Sequence, residues 1–163
     1  MADCIREAAD QLHELLMEGL GRMVAEEKVP AVPLPAFRVE IPADKSHGDF
    51  AANVAMVSAK AFRMAPRKIA ELILESISLH GTIFDRAEIA GPGFLNFRLG
   101  DQWYAGVMNA VETEKDVYGT NDSLKGQMIM VEFVSANPTG PMHMGNARGG
   151  VLGDTLASVL QKS

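Results

Sequence analysis

A chain of 163 residues that is 47% apolar and 22% charged has the composition of a folded globular protein, with room for one ordinary domain or two small ones. Cys4 is its single cysteine, which excludes a disulfide framework or a cysteine zinc site. No apolar run approaches the ~20 residues that span a bilayer, and no secretory layout opens the chain, so a cytoplasmic protein without a membrane partner is expected. With a net charge of −6, and 11 Lys and Arg against 14 Asp and Glu over residues 1–100, it is no basic nucleic-acid module, and any RNA contact must be local.

Residues 2–27 carry Ile5, Ala8, Leu12, Leu15, Leu16, Leu20 and Met23 on one helical stripe, the pattern of a core-facing helix. Pro30 to Pro35 break the chain, and Phe37–Ile41 alternates as a half-buried strand. Ser46-His-Gly-Asp-Phe-Ala-Ala-Asn53 leads into a helix expected over about 50–63, with Asp49 as its cap. Pro66 opens a second helix reaching about Ser78. Lys60, Arg63, Arg67 and Lys68 form one local basic cluster, read as a solvated helix end. Residues 83–89 and 93–99 read as strands joined at Ala90-Gly91-Pro92, and 101–114 as a helix. These elements describe a compact α+β domain, helices packed on a small antiparallel sheet, ending near residue 110.

A second unit follows over 111–163. Met128–Val134 is an almost unbroken apolar run, the pattern of a strand covered on both faces of a sheet. Pro138 and Pro141 end it. A helix begins near Met144 to Ala147, with Val151, Leu152, Leu156, Val159 and Leu160 at helical spacing. Strand, polar loop and Gly-rich helix start together make the construction with which α/β proteins hold a nucleotide. Free N–H groups and partial positive charge at a helix start attract phosphate. Gly145, Gly149 and Gly150 let a ligand approach the backbone. His143 can donate to an anionic oxygen, and Asn146 offers an amide donor toward the same side.

Glu132 and Ser135, with the loop Ala136-Asn137-Pro138-Thr139-Gly140-Pro141-Met142-His143-Met144-Gly145-Asn146 and Arg148-Gly-Gly150 after it, resemble the H-x-G-H box of class I aminoacyl-tRNA synthetases in its arginyl-tRNA synthetase form. The resemblance implies that His143 and Gly145 bind ATP and stabilise the adenylation transition state. It also implies that Ser135 and Asn137 hold the amino end of arginine and that Glu132 lines that pocket. Asn146 departs from the usual second histidine; an amide keeps a hydrogen-bond donor but carries no charge. The implied fold is the first strand, loop and helix of a Rossmann-type α/β catalytic domain. The implied partners are ATP, with Mg expected in the parent enzyme, arginine and tRNA(Arg). No bound metal is expected in these 163 residues.

Ser46–Asn53 and Ala90–Phe97 also resemble the additional N-terminal domain of arginyl-tRNA synthetases, which leans on the D-loop at the tRNA elbow. The resemblance implies tRNA contacts by Phe94 and Asn96, with Gly91 where some relatives place a polar contact. An aromatic ring can stack on an unstacked base while a neighbouring amide reads its edge, and alternation on a strand puts Phe94 and Asn96 on one face. Phe97 is read as core, and His47 and Asp49 as cap and turn residues.

No K-M-S-K-S loop and no anticodon-binding helical domain are present, so the chain reads as an N-terminal fragment of such a ligase, inactive alone. The parent is expected to be a monomer, and the fragment to self-associate through an exposed half-sheet. Two other readings compete. A free-standing RNA-binding module would leave the ATP-box loop unexplained. A small nucleotidylyltransferase would carry its box after its first strand, near the N-terminus.

Overall fold

The computed structural model describes residues 2–137 and 139–163, with Ala2 and Asp3 described by their backbone only. The chain divides into two compact units between Thr113 and Glu114.

The first unit opens with helix α1, Ala2–Ala25. Its apolar stripe is realised: Ala8, Leu12, Leu16, Leu20 and Met23 are buried, while Ile5 and Leu15 pack at the edge of the core. Two short strands follow, β1 (Val39–Glu40) and β2 (Phe50–Ala52). Helices α2 (Val54–Phe62) and α3 (Pro66–Ser76) come next, then β3 (Phe84–Ala90) and β4 (Phe94–Leu99). The four strands make one antiparallel sheet in the order β1-β2-β4-β3.

Register decides what the sheet buries. Phe50 lies opposite Phe97 and Ala52 opposite Leu95, and all four are buried against the helices. Phe84 meets Phe50 and Phe97 edge-on, at 6.1 and 5.8 Å. Each such apolar side chain contributes about 1.5–3 kcal/mol by leaving water. The alternate residues point to the opposite face. There Ala51 and Glu88 flank Asn96, and Ala90 pairs with Phe94.

The expected helix over 50–63 requires correction. Phe50–Ala52 is a strand, and the helix starts only at Val54. Asp49 caps no helix: its carboxylate accepts the Leu99 N–H at 2.9 Å, and its own N–H donates to the Phe97 carbonyl at 2.8 Å. Asn53 fills the cap position, and its Oδ1 accepts the Arg38 N–H at 2.9 Å. The expected strand over 37–41 shrinks to two residues, because Phe37 turns inward and stacks on His13 at 4.4 Å. The unit closes with α4 (Asp101–Glu114), whose Trp103 Nε1–H donates to the Cys4 carbonyl at 3.4 Å.

The second unit contains a short 3₁₀ turn, Lys115–Val117, and one long helix, α5, Met144–Gln161. The strand expected over Met128–Val134 does not form. A strand is defined by a paired neighbour, and among the described residues of this unit none is present. The start of a Rossmann sheet is therefore not seen, whereas the α+β first domain is. Phe133 and Val134 instead lie against α5 where its side chains vanish: a Cβ on Gly153 would overlap the Phe133 ring, and one on Gly150 would come within 3.1 Å of Val134. No helix among the described residues is long and apolar enough to cross a membrane.

Candidate functional site

His143 and Asn146 close the start of α5 on each other. The Asn146 Oδ1 accepts the His143 N–H at 3.1 Å, and the His143 Nδ1 accepts the Gly145 N–H at 3.1 Å. This reciprocal cap satisfies backbone donors that a helix start leaves open. It also assigns the remaining donors. With Nδ1 accepting, the neutral ring carries its proton on Nε2, an assignment made from the hydrogen-bond network. The Asn146 amide keeps its Nδ2 hydrogens. Gly145 permits the arrangement, because a Cβ there would stand 2.9 Å from His143 Cε1.

Ser135, Ala136, Asn137, Thr139, Gly140, Pro141, Met142, His143 and Asn146 line a cavity of about 360 Å³. Its wall is polar and exposed. At its rim the Ser135 hydroxyl donates to Glu132 Oε1 at 2.7 Å, so two of the three residues expected at the arginine pocket are joined. Asn137 lies on the same loop; Pro138 lies outside the described residues. Met144 and Met142 are exposed beside the cap. Gly149 is open, with nothing within 4 Å of an added Cβ, whereas Gly150 is taken up by Val134. Gly149 alone of that pair therefore leaves room for a ligand.

In the first unit the residues expected to meet tRNA lie along β4 and its entry turn. Gly91 is exposed with φ +51, and Phe94 is half-buried. Asn96 is only 4% exposed, and its amide makes no hydrogen bond among the described residues. Phe97 is core, fully buried. His47 and Asp49 belong to a loop fastened to β4: Asp44 accepts the Ser46 N–H at 2.8 Å, and Arg98 donates to the Ser46 carbonyl at 2.8 Å. That accepted bond holds the Asp44 carboxyl below its usual range. Gly48, at φ +93, would bring a Cβ to 2.7 Å from the Phe97 carbonyl oxygen. The Ser46–Asn53 motif is thus architectural.

Sequence reasoning missed two relationships, the Asp49–Leu99 bond and the His143–Asn146 cap. The second had a signal: a side-chain acceptor at the cap with an amide three residues later is the spacing of a capping box.

The proteins to which this chain is similar are aminoacyl-tRNA synthetases. The chain aligns in space with the arginyl-tRNA synthetase from Plasmodium falciparum, with a TM-score of 0.52 and 18% identity, over 94% of this chain and 28% of that one. At that identity the match shows the fold alone. A family model described as the arginyl tRNA synthetase N terminal domain matches residues 4–99, and the chain belongs to that family. The arginine–tRNA ligase of Acetivibrio thermocellus is 46% identical over 163 residues, all of this chain and 29% of the relative. That of Heliobacterium modesticaldum is 48% identical over 135 residues, 83% of this chain and 24% of the relative. The chain thus spans less than a third of the length of these curated relatives.

Proposed function

We propose that these residues serve an arginine–tRNA ligase acting in the cytoplasm as a monomer. In that reading a carboxylate oxygen of arginine attacks the α-phosphorus of ATP and displaces pyrophosphate. A ribose hydroxyl of tRNA(Arg) then attacks the resulting carbonyl and releases AMP. The observation that carries the reading is the reciprocal cap of His143 and Asn146 on a polar cavity. It leaves His143 Nε2–H and the Asn146 amide hydrogens for phosphate oxygens, beside the positive end of α5. Donors that need not reorganise as charge develops are the most effective kind. Glu132, paired to Ser135, would meet the cationic substrate with Asn137 beside it. Mg²⁺, carried on the triphosphate in this reading, would supply charge neutralisation there.

The 114–163 unit, in this proposal, is the opening of the nucleotide-binding domain. Its strand 128–134 pairs only in the complete protein. The 163 residues alone would then activate no arginine and would self-associate through their exposed apolar segment, since Met128 and Met130 are more than nine-tenths exposed. The first unit would lean on the tRNA elbow through Gly91, Phe94 and Asn96. Phe94 offers a ring beside an exposed turn, and an Asn96 amide without a protein partner gains most from a base edge. In the complete protein, His143→Ala should lower tRNA(Arg)-dependent arginylation by about 10²-fold or more. An unchanged rate would overturn the assignment.

A further inference from the structure

The turn expected at the tRNA elbow touches a second feature of the first unit. A Cβ on Gly93 would stand 2.9 Å from Pro66, so the Gly91–Gly93 turn abuts the corner between α2 and α3. That corner carries Lys60, Arg63, Arg67 and Lys68, all exposed. Arg67 and Lys68 share the single carboxylate of Glu71, at 3.9 and 3.6 Å. Lys60 and Arg63 have no ion pair among the described residues. Four cations thus face one anion in a chain whose net charge is −6.

The fold does not ask for this excess. Arg67 and Lys68 occupy the first turn of α3, where the helix dipole disfavours cations. Arg63 ends α2 in the left-handed region, at φ +53, a conformation that costs energy for any side chain but glycine and is easiest for asparagine.

From these observations we infer that the α2–α3 corner binds the RNA phosphate backbone, extending the Phe94 face across the Gly93–Pro66 contact. This rests on the elbow reading above for its choice of RNA. The base-reading residues would supply discrimination, and the corner would supply a sequence-independent hold. Four cations meeting phosphates release counterions, so the corner makes binding salt-dependent.

The test is an anisotropy titration of the 163-residue chain with tRNA(Arg), and with the same tRNA altered only in its D-loop, across a salt series. Three proteins are compared: the native chain, Lys60→Gln with Arg63→Asn, and Phe94→Ala. The double substitution touches exposed side chains, and asparagine suits the Arg63 backbone, so the far-UV spectrum should be unchanged. Arg67→Gln with Lys68→Gln repeats the test from the other side of the corner. The corner variants should bind both tRNAs about tenfold more weakly at low salt, with the slope of log K against log salt reduced by roughly 2. Phe94→Ala should lose D-loop discrimination and keep the slope. Unaltered affinity and slope in both corner variants would overturn the inference. So would an absence of RNA binding by the native chain, or corner-dependent binding to phosphatidylserine vesicles alone. Corner variants that weaken binding while the D-loop change and Phe94→Ala do nothing would uphold the corner and remove the elbow reading.

Discussion

The carboxylate of Asp49 reaches the backbone N–H of Leu99, 50 residues further on, at 2.9 Å. It fastens the loop before β2 to the end of β4, on the side of Leu99 that β2 does not reach; on its other side Leu99 pairs with Phe84 of β3. A bond accepted by an ionised group contributes about 1.5–3 kcal/mol. Asp49→Ala should lower the urea unfolding free energy by that amount. A midpoint equal to that of the native chain would show the bond to be incidental. Gly48→Ala should cost at least as much, since the Phe97 carbonyl stands where its Cβ would go.

Asp44 supports the same loop from the other side, and its effect has a pH signature. Its carboxyl is held below the usual range by the accepted Ser46 N–H. A folded value below the unfolded one gives stability that is present above the unfolded pKa, about 3.9, and is lost as pH falls through the folded value. The gap in urea midpoint between the native chain and Asp44→Ala should therefore be open at pH 6 and shrink steadily below pH 4. A gap independent of pH would assign the effect to the turn backbone instead.

In the core, Leu16 is fully buried and its neighbour Met17 is 42% exposed. Leu16→Ala should cost about 2–5 kcal/mol through lost transfer energy and the cavity left behind. Met17→Ala should fall within about 0.5 kcal/mol of native. Equal costs would contradict the register of α1 against the sheet.

At the start of α5, Asn146→Ala removes the acceptor for the His143 N–H. Loss of a cap of this kind costs about 0.5–2 kcal/mol locally. Hydrogen exchange at residues 143–147 should quicken while the far end of the helix keeps its protection. Exchange rates equal to native would mean that the His143 ring, not the amide, holds this helix end.

Much of the first unit was legible in the sequence because its signals are local. The α1 stripe, the Pro66 helix start, and the paired alternations around Ala90-Gly91-Pro92 each lie within one short window, and each element appears within about two residues of its expected place. Phe50–Ala52 was not legible. Its two alanines read as helix, and pairing with β1 on one side and with β4, more than 40 residues away, on the other makes it a strand. Met128–Val134 failed in the opposite sense: its composition suits a buried strand, but strand structure belongs to a pair and not to a segment. In the cavity on the second unit, residue types and loop position were legible, while the mutual capping of His143 and Asn146 needed the backbone to be seen.

The strand order β1-β2-β4-β3 sets the timing of folding. β2 and β3 both pair with β4, the last strand made, and β1 joins β2 through only two residue pairs. During synthesis the helices can form and pack on one another as they emerge, but the faces they turn to the sheet stay uncovered until residue 99 has left the ribosome. Closing the β2–β4 loop across both intervening helices is then the slow step. This unit is accordingly a domain that assembles late and all at once, and substitutions in β4 should slow its folding more than substitutions of equal cost in α1.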